Sequence, residues 1–286
     1  MRLLVSSMKV DGSADGPDMQ PLLKVENLVK RYAKRSLVGA REELLALHGV
    51  SFTISPGSTL AVVGESGSGK STLASCLACL ESPTAGNIWF EGKDIVTLGE
   101  RARQQILPQI QLIFQDPASS LNPRWSVLEI LIEPLILRRK FNREEMSQRA
   151  SSLLERVGLS PDIVERAPNE LSGGQRQRLD IARALALEPK LLILDEPLSA
   201  LDCSVQAQIA NLLMELQSSL AMTYLFITHD LAMAAHLADE IAVMNRGRIV
   251  EQGPAEQILK QPRHETTRQL LAAVPRMVRA LPALEQ

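Results

Sequence analysis

The glycine-rich segment GESGSGKS at residues 64–71 constrains the fold of this 286-residue chain more than any other feature. The apolar run TLAVV before it predicts a strand. The residues after it predict a helix that begins at Lys70 and ends near residues 82–83. The segment fits the pattern G-x-x-x-x-G-K-[ST], in which glycines let the backbone curl its N–H groups around phosphate oxygens. The sequence therefore predicts a phosphate-binding loop between a strand and a helix, where the helix N-terminus also favours an anion.

Apolar runs with strand character alternate with helical patterns along most of the chain. Strands are predicted at residues 22–32, 46–54, 59–63, 87–95, 110–115, 191–197, 223–229, 240–246 and 248–253. Residues 117–168 are predicted to be mostly helical, with breaks at Pro123, Pro134 and Pro161, and the charged stretch before residue 46 to be a loop or hairpin. This alternation favours an α/β fold with a largely parallel sheet.

Composition narrows the class of protein. The net charge is -2, so no general attraction to nucleic acid or to anionic lipid is implied. No stretch approaches the roughly 20 apolar residues that span a bilayer, and the apolar run at the N-terminus is too short for a signal peptide. Cys76 and Cys79 form a C-x-x-C pair that could serve metal or redox chemistry. Without a second such pair, packing within a helix is the favoured interpretation.

Two adjacent carboxylates end the apolar run LLILDEP at residues 191–197. Asp195, at the tip of a buried strand, is placed to hold Mg²⁺ directly or through water. Glu196 could orient or polarise an attacking water. Two acids that merely cap a strand end are the alternative, which the wholly apolar strand disfavours.

The motif LSGGQ at residues 171–175 precedes that strand. Gly173 and Gly174 would open a helix whose free N–H groups can face an anion, and Ser172 is an N-cap residue type. Alone, this would be an ordinary helix start. Together with the phosphate loop and the acidic strand end, it makes the chain resemble the ABC ATPase family. The resemblance implies an α/β, ABC-type P-loop NTPase with a RecA-like core sheet, an antiparallel β subdomain and an α-helical subdomain.

The resemblance also implies roles for individual residues. Two cassettes would pack head to tail, each ATP lying between the phosphate loop of one and the signature motif of the other. The implied nucleotide-binding residues are Tyr32, Gly64, Glu65, Ser66, Gly67, Ser68, Gly69, Lys70, Ser71 and Thr72. The implied signature residues are Leu171, Ser172, Gly173, Gly174 and Gln175, and the D-loop, which crosses the dimer seam, is Ser199, Ala200, Leu201 and Asp202. The implied catalytic residues are Glu196, His229 and Gln115, and the implied Mg²⁺ ligands are Ser71, Gln115 and Asp195.

Tyr32 is the position with a competing interpretation. The family stacks an aromatic ring on adenine just after the first strand, where Tyr32 lies. A tyrosine in a basic stretch at a strand end is also often a plain surface residue.

The expected organisation has three parts. Residues 1–21 are expected to be disordered, and residues 22–253 to form one nucleotide-binding domain whose helical subdomain covers about residues 117–170. Residues 254–286 would be a C-terminal extension. No internal repeat is visible, so one cassette is expected.

Other ABC proteins and GTPases are less compatible with the sequence. It contains no N/T-K-x-D guanine motif, and it lacks the second cassette, coiled coils or zinc modules of non-transport relatives and the fused membrane helices of many exporters. The runs DPASSLNPRWSV and DEPLSALDCSVQAQI resemble the oligopeptide/dipeptide/nickel importer branch. The tail departs from that branch at Glu265 and Thr266. Because no cysteine follows Cys203, no iron–sulfur cluster is predicted.

The importer resemblance implies ATP and Mg²⁺ as ligands and transmembrane permease subunits as partners. It also implies a second ABC ATPase subunit, an indirect solute-binding protein, and no nucleic acid. The implied location is the cytoplasmic face of the cell membrane, a bacterial inner membrane. Part of the segment 117–137, which contains Trp125, is hypothesised to receive a permease helix, although most of it would be core. Dipeptide, oligopeptide, nickel and glutathione cargo all remain open, as does a homodimer or a heterodimer.

Overall fold

The computed structural model describes residues 20–35, 41–116, 120–136 and 143–273. The predicted disordered segment 1–21 lies outside the described residues except for its last two, and so do the last 13 residues of the predicted extension.

Ten strands are described. In chain order they are β1 Leu23–Arg35, β2 Arg41–Ile54, β3 Thr59–Val63, β4 Ala85–Phe90, β5 Lys93–Asp94, β6 Ile110–Ile113, β7 Leu191–Asp195, β8 Thr223–Thr228, β9 Glu240–Asn245 and β10 Arg248–Pro254.

Nine α-helices of the described residues cover or connect these strands. They are α1 Lys70–Leu77, α2 Glu100–Ile106, α3 Val127–Ile136, α4 Arg143–Arg156, α5 Gly173–Leu185, α6 Cys203–Leu220, α7 Leu231–Leu237, α8 Ala255–Lys260 and α9 Glu265–Ala273. None of them is long and apolar enough to cross a membrane.

The central sheet has six strands in the order β10-β9-β3-β8-β7-β6. All its neighbours are parallel except the antiparallel pair β9 and β10. Every residue of β3, β7 and β8 is buried, as expected for strands covered on both faces. Because the strands are parallel, the residues that follow β3, β6, β7 and β8 meet at one edge of the sheet.

A second, antiparallel sheet has the order β2-β1-β4-β5. The prediction of one strand over residues 87–95 was wrong, because the chain reverses between β4 and β5. Glu91 and Gly92 both adopt positive φ values, 48° and 74°, which suit a tight hairpin turn. The charged segment before residue 46 contributes to the antiparallel pair of β1 and β2, and residues 36–40 lie outside the described residues.

Helices α3 and α4 fall within the segment predicted to be helical. The predicted break at Pro134 was wrong, since Pro134 lies inside α3. Proline has no N–H and so removes one backbone hydrogen bond from the helix. The described part of α3 reaches Ile136, and residues 137–142 lie outside the described residues. Cys79, predicted to be helical, lies beyond the end of α1 with a φ of 56°, whereas Cys76 is buried within α1 as expected for packing.

Candidate functional site

The phosphate loop, residues 64–72, connects β3 to the first turn of α1 at the carboxyl edge of the parallel sheet. A side chain at Gly64 would place its Cβ 2.2 Å from the carbonyl oxygen of Met244. Gly69 has a φ of 107°, and its Cβ would lie 2.6 Å from the carbonyl oxygen of Ala46. Both positions therefore require glycine, one for close approach and the other also for its backbone conformation.

Lys70 is almost wholly buried inside this loop, with 4% of its surface exposed. Its Nζ donates to the carbonyl oxygens of Gly64 at 2.8 Å and Glu65 at 3.0 Å, and it lies 3.7 Å from Glu196 Oε1. Burial lowers the pKa of Lys70, while the carboxylates of Glu196 and Asp195 act in the opposite direction. The loop carbonyls and Glu196 thus compensate a buried ammonium group at the centre of the site.

Asp195, the last residue of β7, lies beside the loop and accepts a hydrogen bond from Ser71. The pKa of Asp195 is raised, mainly by burial and also by the nearby Glu196 carboxylate. The Ser71 hydrogen bond and the Lys70 charge act in the opposite direction. Its Oδ1 is buried and has no hydrogen-bond partner among the described residues. A carboxylate oxygen without a partner, next to a serine hydroxyl, offers the hard oxygen ligands that suit Mg²⁺.

Glu196 follows in a left-handed backbone conformation, with a φ of 48°. Its N–H donates to the carbonyl oxygen of Ile227 on β8 at 2.9 Å, which fixes the turn. Its Oε2 lies 3.1 Å from Nδ1 of His229, which follows β8. The His229 side chain is 56% exposed and that of Glu196 15%. This left-handed conformation costs energy for a residue with a side chain, so the contacts around Glu196 must hold it there.

Gln115 follows β6 and reaches the same edge of the sheet through the side chain of Ser199, a contact that was not predicted from the sequence. Its Nε2 donates to Ser199 Oγ at 3.2 Å, and Ser199 Oγ donates to the carbonyl oxygen of Glu196 at 3.0 Å. A chain of hydrogen bonds therefore runs from Gln115 through Ser199 to the Glu196 backbone. The sequence shows only that Gln115 and Ser199 each follow an apolar run. It does not show that the two strands are neighbours, so this contact could not be predicted.

Tyr32 lies in β1, half-buried beside the end of the phosphate loop. Its hydroxyl donates to Glu81 Oε2 at 2.5 Å and also hydrogen-bonds with Thr72. Lys30 Nζ lies 5.0 Å from the centre of the ring. Burial, and then the Glu81 carboxylate, raises the pKa of Tyr32. The ring is thus adjacent to a loop residue, which distinguishes it from an isolated surface tyrosine.

The signature residues 171–175 begin α5. Ser172 Oγ accepts from the Gln175 N–H at 3.3 Å, and Gln175 Oε1 accepts from the Ser172 N–H at 2.9 Å. This reciprocal capping box satisfies two free donors at the helix start. A Cβ at Gly174 would lie 2.7 Å from Val205 Cγ1, so the glycine lets α5 approach α6 closely.

Asp202, in the segment that the family resemblance identifies as the D-loop, is also the N-cap residue of α6. It caps α6 by accepting from the N–H groups of Ser204 at 3.1 Å and Val205 at 3.0 Å. The Val205 backbone bond is the largest factor that lowers the pKa of Asp202. Within the described part of the chain, none of the hydrogen bonds of the signature residues reaches the phosphate loop.

Comparison with known proteins agrees with this geometry. Residues 47–199 match the ABC transporter family. The chain is 47% identical to the dipeptide transport ATP-binding protein DppF of Escherichia coli (strain K12) over 259 residues, which is 90% of this chain and 78% of that protein. It is 47% identical to the glutathione import ATP-binding protein GsiA of Pectobacterium atrosepticum, covering 90% of this chain and 41% of that longer protein.

A solved structure shows the same fold. The dimeric, post-hydrolysis structure of the ATP-binding cassette MJ0796 with ADP and Pi matches with a TM-score of 0.71 and 31% identity, covering 82% of this chain and 98% of that one. The fold class and the family resemblance predicted from the motifs are therefore confirmed. The chain belongs to the ABC transporter family, as one of its ATP-binding and ATP-hydrolysing subunits.

Proposed function

We propose that this subunit powers a peptide-type importer through ATP-driven closure of a head-to-tail dimer of cassettes. The observation that carries the proposal is the meeting of the phosphate loop, Asp195, Glu196 and His229 at one edge of the parallel sheet. The names of the similar DppF and GsiA proteins support a peptide or glutathione cargo for this chain.

In the proposed site, backbone N–H groups of the phosphate loop and the α1 N-terminus bind the phosphates of ATP. Lys70 would exchange its contacts with the loop carbonyls for phosphate oxygens, because a charged donor binds an anionic oxygen more strongly than a neutral one. Ser71, Asp195 and Gln115 would hold Mg²⁺, which supplies charge neutralisation between the phosphates. Tyr32 would stack on the adenine.

Hydrolysis in this proposal depends on Glu196. Its carboxylate would orient a water toward the terminal phosphate and accept a proton from it. His229, through the 3.1 Å contact with Oε2, would hold that carboxylate and contact the terminal phosphate. The Gln115–Ser199 hydrogen bond would connect this turn to the segment that follows β6.

The signature residues would act on the nucleotide of the partner cassette. Ser172 is exposed, and the N-terminus of α5 has free N–H groups that favour an anion. The phosphate loop and the signature are both complete in this chain, so it would contribute to two sites in a dimer with an equally complete partner. Residues 22–253 would form the cassette, about 117–170 its helical subdomain, and 254–286 an extension.

A permease helix would dock near α3. Phe114 and Ile136 are exposed apolar side chains near the two ends of the segment between β6 and the end of α3, and Trp125 between them is half-buried. Such a contact would hold the subunit at the cytoplasmic face of the cell membrane, with a solute-binding protein outside as an indirect partner. Cysteine crosslinking from these three positions to permease loops tests the assignment. Failure at all three would exclude this surface.

The function itself is tested by co-purification and ATPase stimulation. The subunit should co-purify with its permease and a second ATPase subunit, and reconstituted complexes should hydrolyse ATP faster when a peptide-loaded binding protein is added. Stimulation by ribosomes or DNA instead of the permease would contradict the proposal.

A further inference from the structure

The turn between β9 and β10 forms the back wall of the phosphate loop. The Met244 carbonyl oxygen occupies the space where Gly64 would carry a side chain, 2.2 Å from that Cβ position. The N–H of Gly247 donates to the carbonyl oxygen of Ser68 at 2.8 Å. A shift of this turn would therefore move the loop backbone at two points, because buried backbone contacts transmit displacement rather than absorb it.

The C-terminal segment is attached to this same turn. Asn245, between Met244 and the turn, donates from Nδ2 to Thr266 Oγ1 at 2.8 Å. Thr266 is a buried residue in the first turn of α9. A single side-chain hydrogen bond thus connects α9 to β9, the strand whose Met244 carbonyl oxygen packs against Gly64.

A second anchor holds α9 at a site farther from the loop. Glu251 on β10 accepts from the N–H groups of Arg263 at 2.8 Å and His264 at 2.9 Å, and from Thr267 Oγ1 at 2.5 Å. Burial opposes ionisation of Glu251, but the bonds from Thr267, Arg263 and His264 together hold its pKa below the ordinary value. Thr267 is fully buried, so the two neighbouring threonines make separate contacts with β9 and β10.

We propose that Asn245 is a positioning residue of the phosphate loop, and that its bond to Thr266 lets the docked C-terminal segment set the affinity for ATP. When the bond is made, Met244 and Gly247 hold the loop in the conformation that cradles phosphate. When it is lost, the turn keeps the backbone bonds of Gly247 with Ser68 and His48 but loses its link to α9, so it shifts more easily and the loop binds ATP less tightly. The inference rests on the phosphate loop being the ATP site.

The two threonines provide a matched pair of variants in the full-length protein. Thr266→Val and Thr267→Val have the same shape change in the same helix, but only the first breaks the link to Asn245. We expect Thr266→Val and Asn245→Ala each to weaken MgATP binding by about three- to tenfold, the value of one net hydrogen bond. The double variant should be no weaker than either single variant, because both remove the same bond. Thr266→Ser, which keeps the hydroxyl, should bind like the wild type.

Thr267→Val should lower the melting temperature while leaving ATP affinity within about twofold.

If α9 affects ATP binding, ATP binding must affect α9 to the same extent. MgATP should therefore slow hydrogen exchange in residues 265–273 of the wild type, and Asn245→Ala should abolish this effect. Unchanged ATP affinity in Thr266→Val and Asn245→Ala would overturn the proposal, and so would equal weakening by Thr267→Val. Lys70→Ala tests the assumption that the phosphate loop is the ATP site. Normal ATP binding by this variant would show that the loop is not the site. If Lys70→Ala loses ATP binding while the threonine and asparagine variants bind normally, only the coupling is excluded.

Discussion

His229 Nδ1 lies 3.1 Å from Oε2 of Glu196, and Glu196 makes this contact from a left-handed backbone conformation. Glu196 is held from both sides, by its N–H bond to Ile227 and by the Ser199 hydroxyl on its carbonyl oxygen. The carboxylate is thereby presented beside Lys70 with little freedom to move. A group fixed in this way is suited to orienting a water, because no reorganisation is needed at the moment of reaction.

The first prediction concerns this carboxylate. Glu196→Gln should leave ATP binding within about twofold of the wild type and lower the rate of hydrolysis by about 10²- to 10⁴-fold, since the amide cannot accept a proton. Equilibrium ATP binding and single-turnover hydrolysis measure the two effects separately.

Glu188 supplies the control for this variant. It is exposed and has a φ of 50°, close to that of Glu196, so Glu188→Gln makes the same chemical change in the same backbone conformation. It should hydrolyse ATP normally. Wild-type hydrolysis by Glu196→Gln would remove Glu196 from the proposed role.

The contiguous parts of the site could be predicted from the sequence, and the contacts between distant segments could not. The glycines, Lys70 and Ser71 lie in one short run whose spacing is typical of a phosphate-binding loop. The Gln115–Ser199 bond depends on which strands are neighbours, and the Asn245–Thr266 bond on where α9 packs against the sheet. Neither is visible in the periodicity of the sequence.

Two of the wrong predictions, the strand over residues 87–95 and the break at Pro134, have local causes. The turn at Glu91 was missed because glutamate, rather than the more usual Asn or Asp, precedes Gly92 in the hairpin. Pro134 was predicted to break a helix, but Ile130, Leu131 and Leu135 of α3 are buried, and this packing offsets the backbone hydrogen bond that proline removes.

Asp180 provides a prediction of pH dependence. It lies on α5 with 4% of its surface exposed, hydrogen-bonds with Ser120, and lies near Arg183, which itself pairs with Glu133. Burial raises its pKa from 3.8 to about 6, against the smaller effects of Ser120 and Arg183. The folded state therefore binds the proton more tightly than the unfolded state, and stability is lost as the pH rises from about 4 to about 6.

Asp180→Asn should remove this loss. At pH 7 the variant should be more stable by up to about 3 kcal/mol, the free energy equivalent of that pKa change. The difference from the wild type should vanish near pH 4. Urea unfolding of both proteins at pH 4, 5, 6 and 7 measures this difference. The two proteins share all other titrating groups, so a difference that does not change with pH would contradict the raised pKa of Asp180.

Two variants of Ser172 distinguish its structural role as a helix cap from its proposed role in dimerisation. Ser172→Asp should retain the N-cap of α5 and leave the melting temperature nearly unchanged, because aspartate caps as well as serine. It should nevertheless prevent ATP-dependent association, since its charge would face the phosphates in the partner's site. Light scattering of the Glu196→Gln protein with and without Ser172→Asp, in the presence of the second ATPase subunit, measures association.

Ser172→Ala is the complementary variant. It should destabilise the fold by about 1 kcal/mol through the lost cap, while weakening association less than the aspartate does. Normal association of Ser172→Asp would place the signature away from the nucleotide.

Tyr32 is tested by separating its ring from its hydroxyl. Tyr32→Phe keeps the ring and loses the bonds to Glu81 and Thr72, whereas Tyr32→Ala loses both. If the ring stacks on adenine, the phenylalanine variant should bind ATP within about twofold of the wild type. The alanine variant should lose about 1–3 kcal/mol, the range for stacking of a base on an aromatic side chain. Affinity for inorganic triphosphate should be equal in all three proteins, because it has no base. Equal losses for phenylalanine and alanine would instead assign the effect to the hydroxyl bonds that hold β1 against α1.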